Sequence, residues 1–255
     1  MSFTVVMPAP ALRPYIARYW SLRARFDRPE RITLLPDAGA HLTIGFDEPV
    51  RSRRFPTPFA PGRLHVVGAM LRSDEQVLLG NQHVIGVSFK PAGFPRFHRR
   101  DAMHKATERV EPFEGALPLN GGGSLAELAP ALDRHFLERL APPRTNVLEV
   151  VRDIEACGGN IRVDALIRRH ATTGRSLERH FEQEIGVTPQ EFIELTRFKR
   201  ALTLVESELG RRSLTELAWD CGYYDNAHLT RAFKRFTGEA PSRFTLSDLS
   251  KSASA

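Results

Sequence analysis

The sequence has few cysteines and no long apolar run: only two of its 255 residues are Cys, and no stretch of eighteen apolar residues occurs. The missing run predicts that no helix spans a membrane. The N-terminus lacks the basic and apolar regions of a secretory signal, so we expect a cytoplasmic protein. Cys157 and Cys221 have no second ligand at zinc spacing, and they are predicted to be buried free thiols.

The net positive charge is small in the C-terminal half of the chain, where a nucleic-acid interface is predicted. Residues 1–143 contain 19 Lys/Arg and 14 Asp/Glu, a balance of +5. The remaining residues contain 17 (36 − 19) and 16 (30 − 14), a balance of +1. A DNA contact by the C-terminal half must therefore depend on where individual charges lie, and not on a generally basic surface.

The first hundred residues have the pattern of an antiparallel β structure. Aromatic and β-branched runs are separated by Pro, Gly and Asp, which favours short strands. Because no long helix separates these runs, we predict an α+β protein with an N-terminal antiparallel barrel or sandwich. A proline-rich segment over 49–62 is predicted to be a surface loop. The predicted strands are Phe3–Met7, Tyr15–Arg25, Ile32–Leu35, His41–Phe46, Leu64–Met70 and Val84–Lys90.

The middle of the chain marks a domain boundary. The glycine run at 121–123 predicts a flexible break, and apolar residues at helical spacing follow from Leu125 to Leu140. Two roles are open for this helix: packing on its own sheet, or forming a dimer seam. Ala-Pro-Pro-Arg at 141–144 is typical of a linker. We therefore expect an N-terminal domain over 1–141 and a helical domain over 142–255.

The helical half contains one pattern twice. Leu-x-Arg-x-Phe followed by Gly-x-x-Pro occurs over 177–189 and recurs 52 residues later over 229–241. Such a repeat indicates one small unit used twice. Thr173, Ser213 and Asp225 are predicted N-caps. The pattern predicts helix-turn-helix units at about 162–186 and 213–237, joined by a helix over about 189–208, roughly 30 Å long.

The second helix of each unit has a polar face suited to reading DNA bases. Helix-turn-helix units place the N-terminal part of this helix in the major groove. There Arg can bond a guanine edge, Asn an adenine edge, and Glu the amino group of cytosine. The first face contains Arg175, Glu178, Arg179 and Glu182, and the second contains Asn226, Ala227, Thr230, Arg231 and Lys234.

The last 110 or so residues resemble the DNA-binding domain of the AraC/XylS family of transcription regulators. The matching residues are Leu217-Ala218, Cys221-Gly222-Tyr223, Leu229, Arg231, Phe233-Lys234, Gly238, Pro241 and Phe244. The resemblance implies double-stranded DNA as partner, with RNA polymerase as a further one. It implies base-reading roles for Arg175, Glu178, Arg179, Asn226, Ala227, Thr230 and Arg231, and DNA-backbone contacts for Thr173 and Lys234.

The first unit departs from the family pattern. Ile167, His170, Ala171 and Thr172 stand where the family usually has other residues, with Ala171 at the position of the usual turn glycine. These departures predict a wider turn or a shifted first reader helix.

The N-terminal half is similar, in three stretches, to a subgroup of the same family: residues 15–22, 35–37 and 86–93. Such domains are often cupin-like barrels that sense a ligand or dimerise, so the resemblance implies an unknown small-molecule effector and a homodimer. No cupin-like His-x-His with a following Glu occurs. The spacing of Asp37 and His41 does not predict a metal site, and no cofactor is expected.

The sequence supports two other classes of function less well. A DNA-repair enzyme of the alkyl-transfer type would need a reactive, exposed thiolate, and the sequence contains no nucleophile elbow, P-loop or dinucleotide fingerprint. We therefore predict no catalytic residues. A ligand-binding module with a purely structural helical half would not explain why the polar helix faces repeat.

Overall fold

The computed structural model describes residues 1–55, 59–98, 102–119 and 123–244. The first part of this range forms one antiparallel sheet, as the sequence predicts. Residues 56–58 of the predicted loop and Gly121 and Gly122 of the predicted break lie outside the described residues. The strands are β1 Ser2–Val6, β2 Ile16–Leu34, β3 His41–Gly45, β4 Arg51–Ser52, β5 Leu64–Val67, β6 Asp74–Phe89 and β7 Val110–Pro112.

The sheet is open. Its strand order is β1-β2-β6-β3-β5-β7, and β4 pairs with β6. Among the described strands no pairing joins β1 to β7, so the predicted closure into a barrel is not observed. A helix, α1 (Leu125–Arg139), instead packs against β1 and β2 and covers one face of the sheet.

Two strands are longer than the sequence pattern predicts. The predicted strands Tyr15–Arg25 and Ile32–Leu35 belong to one strand, β2, which pairs with β6 along nearly its whole length. The charged stretch between them hides this continuity, and the pairing register shifts between Phe26 and Glu30. β6 begins at Asp74, ten residues before its predicted start.

Helix α1 packs on its own sheet, which is one of the two roles left open by the sequence. Leu132 and Phe136 are fully buried in a cluster that includes Tyr19 and Phe89. The Tyr19 and Phe136 rings stack with centroids 6.3 Å apart, and the Tyr19 hydroxyl donates to Asp133 at 2.9 Å. This apolar face is therefore occupied within the chain.

The second half of the described chain is helical and has its own apolar core. The core combines residues from every one of the six helices with Ala38, Ala69 and Ala92 of the N-terminal part. Six of its buried side chains are aromatic, and they include Phe181 and Phe233 of the repeated pattern. The helices are α2 Val147–Ala156, α3 Val163–Arg169, α4 Gly174–Glu184, α5 Pro189–Glu208, α6 Leu214–Asp220 and α7 Asn226–Thr237.

Candidate nucleic-acid interface

The first helix-turn-helix unit consists of α3 and α4. Thr173 is the N-cap of α4, as predicted, and its hydroxyl accepts from the Ser176 N–H at 3.2 Å. Leu177 and Phe181 are buried against the core. The predicted readers are exposed on the opposite side of the helix: Arg175, Glu178 and Arg179. Helix α4 therefore separates a packing face from a polar face.

The turn of the first unit is shorter than that of the second, while a turn widened or a reader helix shifted relative to the family pattern stays a prediction. The N-cap of α4 follows the C-cap His170 by three residues, whereas in the second unit the corresponding interval, 221–225, is four. His170 Nε2 lies 2.8 Å from Asp153 on α2, and Asp153 also pairs with Arg169 at 3.0 Å. The unusual His170 thus anchors this turn to α2.

The second unit consists of α6 and α7, and its helix ends match the prediction closely. Ser213 forms a reciprocal capping box with Glu216 at the start of α6. The Asp225 carboxylate accepts from the His228 N–H at 2.7 Å and caps α7. Gly238 ends α7 with a left-handed φ of 83°. These bonds define where the second reader helix begins and ends.

The polar face of α7 projects away from the core. Leu229, Phe233 and Phe236 are buried. Asn226, Ala227, Arg231 and Lys234 are exposed, and Thr230 is half-buried. The structure thus brings every predicted reader of the second unit onto one accessible side, while their contact with bases stays a prediction.

The two reader faces differ in charge. On α4, Arg175 and Arg179 are balanced by Glu178 and Glu182. On α7, Arg231 and Lys234 form no ion pair or side-chain hydrogen bond among the described residues. The neighbouring Arg235 is paired with Glu194 of α5. The face of α7 therefore has two free cations for an external anion, whereas that of α4 has no net charge.

Helix α5 carries both units. Thr188 and Glu191 form a capping box at its start, and Pro189 is its first residue, as predicted. Near this end the Phe192 ring meets Phe181 of α4 edge-on at 5.9 Å. Further along, the Phe198 ring stacks on Phe236 of α7 at 4.6 Å. Aromatic packing at separate positions on one helix therefore sets the relative placement of the two reader helices.

The N-terminal part is bonded to the ends of both reader helices. Thr107 Oγ1 donates to the Gly186 carbonyl, just after α4, at 2.5 Å. The Ser73 N–H donates to the Phe236 carbonyl in the last turn of α7 at 2.8 Å. Sequence reasoning missed these contacts, because each joins residues that are far apart in the chain and belong to no local pattern.

An ion pair adds a third link between the two parts. Lys199 on α5 lies 3.1 Å from the Asp37 carboxylate. Burial opposes ionisation of Asp37, but the charges of Lys199 and His41 and the Gly39 N–H outweigh it and lower the pKa of Asp37. The ionised carboxylate is therefore the favoured partner for Lys199.

A cavity of about 720 Å³ lies beside this ion pair. The N-terminal part contributes Asp37 and Lys90 to its wall, and the helical part contributes Glu155, Lys199 and Arg200. Burial raises the pKa of Glu155, while the neighbouring lysines act in the opposite direction. The cavity is thus lined by charges of both signs and by both parts of the chain.

The described residues contain no group of three or more His, Cys, Asp or Glu side chains able to hold a metal ion. Cys221 is buried, and burial raises the pKa of its thiol. Cys157 is only partly buried, contrary to prediction, because it is the C-cap of α2 and not an inward position. Among the described helices, none is both long and apolar enough to cross a membrane.

Two family models match the chain, one in each part. Residues 166–246 match a helix-turn-helix domain, and residues 4–111 match a domain of unknown function (DUF6597). The helix-turn-helix domain predicted from the repeat is therefore confirmed for the C-terminal helices.

Curated relatives match a short part of the chain. The HTH-type transcriptional activator RhaS of Escherichia coli O139:H28 is 32% identical over 72 residues, which are 28% of this chain and 25% of the relative. RhaS of Escherichia fergusonii is 32% identical over 78 residues, or 31% and 27% of the two chains. The chain thus spans about a quarter of the length of the relatives that it matches.

A solved structure resembles nearly the whole chain. The 1.65 Å structure of ToxT from Vibrio cholerae has a TM-score of 0.50, with 95% of this chain and 97% of that chain covered at 10% identity. At that identity the likeness shows a shared fold, an antiparallel sheet followed by helices.

Proposed function

We propose, from the premise that the C-terminal helices form a helix-turn-helix domain, that this protein is a sequence-specific DNA-binding transcription regulator of the AraC type. The observation that carries this proposal is the pair of exposed polar faces on α4 and α7, both attached to one linker helix. Base reading by Arg, Asn and Glu side chains suits a domain whose net charge is close to zero.

The second unit would supply most of the attraction for DNA. Arg231 and Lys234 have no partner among the described residues. These two side chains can therefore bind DNA without first breaking an ion pair within the protein. We assign Arg231 and Asn226 to base edges and Lys234 to a phosphate. On α4, Arg175, Glu178 and Arg179 would read bases with little net electrostatic gain, and Thr173 would contact the backbone.

The N-terminal part would control the spacing of the reader helices. Thr107 and Ser73 bond the ends of α4 and α7, and Lys199 ties the linker helix to Asp37. An effector bound in the charged cavity would touch the same linker helix and Asp37. If the effector bound one arrangement of the two helix-turn-helix units more tightly than another, it would favour that arrangement. The affinity of the protein for DNA would then change.

The domains are taken as 1–141 and 142–255, with a sensor domain built on the open sheet first. The regulator acts in the cytoplasm, has no catalytic activity, and contacts RNA polymerase at its promoters. Since α1 packs on its own sheet, a homodimer would need another surface of the N-terminal domain.

A selection from a random double-stranded DNA pool tests the proposed function. We expect a recovered motif with two half-sites about one helical turn apart, 10–10.5 base pairs. The matched control is the double variant Arg231→Ala with Asn226→Ala, which should recover a motif degenerate at the second half-site. Recovery of no motif by the wild-type protein would contradict sequence-specific binding.

A further inference from the structure

The turn of the second unit contains one residue more than that of the first. The backbone hydrogen bonds of the two turns correspond as far as Thr172 in the first unit and Tyr223 in the second. The Thr172 N–H donates to the Ile167 carbonyl at 3.1 Å, and the Tyr223 N–H donates to the Ala218 carbonyl at 2.9 Å. The first turn then reaches its N-cap directly, whereas the second contains Tyr224 before Asp225. Tyr224 is therefore an added residue with no counterpart in the first unit.

Tyr224 does not serve the core of the domain. Its exposed fraction is 86%, and its hydroxyl has no hydrogen-bond partner among the described residues. Its backbone is nevertheless held, because the indole N–H of Trp219 donates to the Tyr224 carbonyl at 3.1 Å. Trp219 is itself 62% exposed. Two large aromatic side chains, joined by this bond, are thus mostly exposed at the surface, which points to an external partner.

The pair adjoins the proposed DNA-reading face. Tyr224 immediately precedes the N-cap Asp225 and the first reader, Asn226. When the N-terminal end of a recognition helix enters the major groove, the residues just before it lie beside the phosphates that border the groove. A tyrosine hydroxyl donates well to a phosphate oxygen, and an exposed ring can pack on the adjacent sugar.

We propose that Tyr224 contacts the DNA backbone at the second half-site and that Trp219 positions it through the bond to its carbonyl. This inference rests on the proposed function, because it places Tyr224 beside the helix assigned to the major groove. The contact carries no base information, so it adds affinity for all sequences and fixes the register of α7. Since the tyrosine is neutral, it adds nothing to the salt dependence of binding.

The test measures anisotropy of labelled DNA with wild-type protein, Tyr224→Phe, Tyr224→Ala and Trp219→Phe. Loss of the hydroxyl in Tyr224→Phe should weaken binding about tenfold on both selected and random duplexes, with an unchanged slope against salt. Tyr224→Ala should weaken it further. Trp219→Phe keeps a ring but removes the N–H, and should give a smaller loss. Thermal melts of all variants should match the wild type, since both side chains are exposed.

Tryptophan emission provides a second measurement. The chain has two tryptophans, so Trp20→Phe leaves Trp219 as the one reporter. Its emission should change when the selected duplex is added, and Tyr224→Ala should reduce that change.

Three outcomes would overturn the inference. If Tyr224→Ala bound DNA with the affinity of the wild-type protein, Tyr224 would not contact the DNA backbone. Normal DNA affinity combined with lost transcription in a purified polymerase assay would assign the pair to a protein partner instead. If the wild-type protein itself selects no DNA motif, the proposed function fails with it, and the selection experiment separates that case from the other two.

Discussion

Single residues explain why the two repeats are unequal. Ala171 has a φ of +46°, a left-handed conformation that favours glycine, and the second unit has Gly222 with φ +75° at the corresponding position. His170 departs from the family pattern, but it has a partner in Asp153. The first unit thus keeps one residue that strains its turn and one that anchors it.

Replacing Ala171 with glycine should stabilise the protein. The variant relieves the left-handed strain but gains unfolded-state entropy, so we expect a net gain of about 0.5–1 kcal/mol in the free energy of unfolding. Urea denaturation measures it. Ala165→Gly, inside α3, is the matched control and should cost about 1 kcal/mol. Destabilisation by both substitutions would argue that Ala171 is not strained.

Arg231 should contribute to specificity. Arg231→Ala is expected to cost about 1–3 kcal/mol of binding free energy on the selected site and to relax base preference at one position. Anisotropy titrations with single-base operator variants measure both effects. An equal loss on every sequence would assign Arg231 to a phosphate.

At the scale of elements, each reader helix is positioned by aromatic packing on α5. Phe198 contacts both Phe233 and Phe236, with ring centroids 5.1 and 4.6 Å away. Because these rings are fully or almost fully buried, the core side of α7 cannot change without altering the direction of its polar side. Stability and the proposed DNA reading thus depend on opposite faces of the same helix.

Adjacent residues on α7 should separate these two roles. Phe233→Ala removes a fully buried ring and should reduce the free energy of unfolding by about 3–5 kcal/mol. Lys234→Ala changes an exposed side chain, so its effect on stability should stay within about 0.5 kcal/mol. The same lysine variant should lower the salt slope of DNA binding by about one. An unchanged melt for Phe233→Ala would show that its inward assignment is wrong.

At the scale of the whole molecule, the N-terminal part and the helix-turn-helix domain pack against each other in this structure. Ala38, Ala69 and Ala92 join the apolar core of the helices. The bonds from Thr107 and Ser73 reach the ends of α4 and α7. Movement of the N-terminal part would therefore act on both reader helices together.

The Asp37–Lys199 pair should make this docking weakly pH-dependent. Both side chains are partly exposed, so a double-mutant cycle with Asp37→Asn and Lys199→Gln should give a coupling energy below about 1 kcal/mol. Because the folded protein has a lowered Asp37 pKa, the stabilisation is fully present above the unfolded value of about 3.9 and disappears as the pH falls through the folded value. Denaturation of the wild-type protein and of Asp37→Asn at pH 7 and at pH 3 measures this stabilisation. A wild-type advantage over Asp37→Asn that grew on acidification would contradict the assignment.

The sequence by itself determined the elements whose signals are local. The caps at Thr173, Ser213 and Asp225, the linker helix from Pro189 and the inward Leu229 and Phe233 all follow from spacing and capping chemistry, which depend on neighbours within a few residues. The same spacing put the predicted readers on exposed helix faces.

Only the tertiary structure decided how these parts are assembled. The open sheet, the continuity of β2 through a charged stretch and the packing of α1 depend on pairings between distant residues. So do the bonds from Thr107 and Ser73 to the reader helices and the Asp37–Lys199 pair. Local pattern cannot encode such contacts, because their partners meet only after the chain has folded.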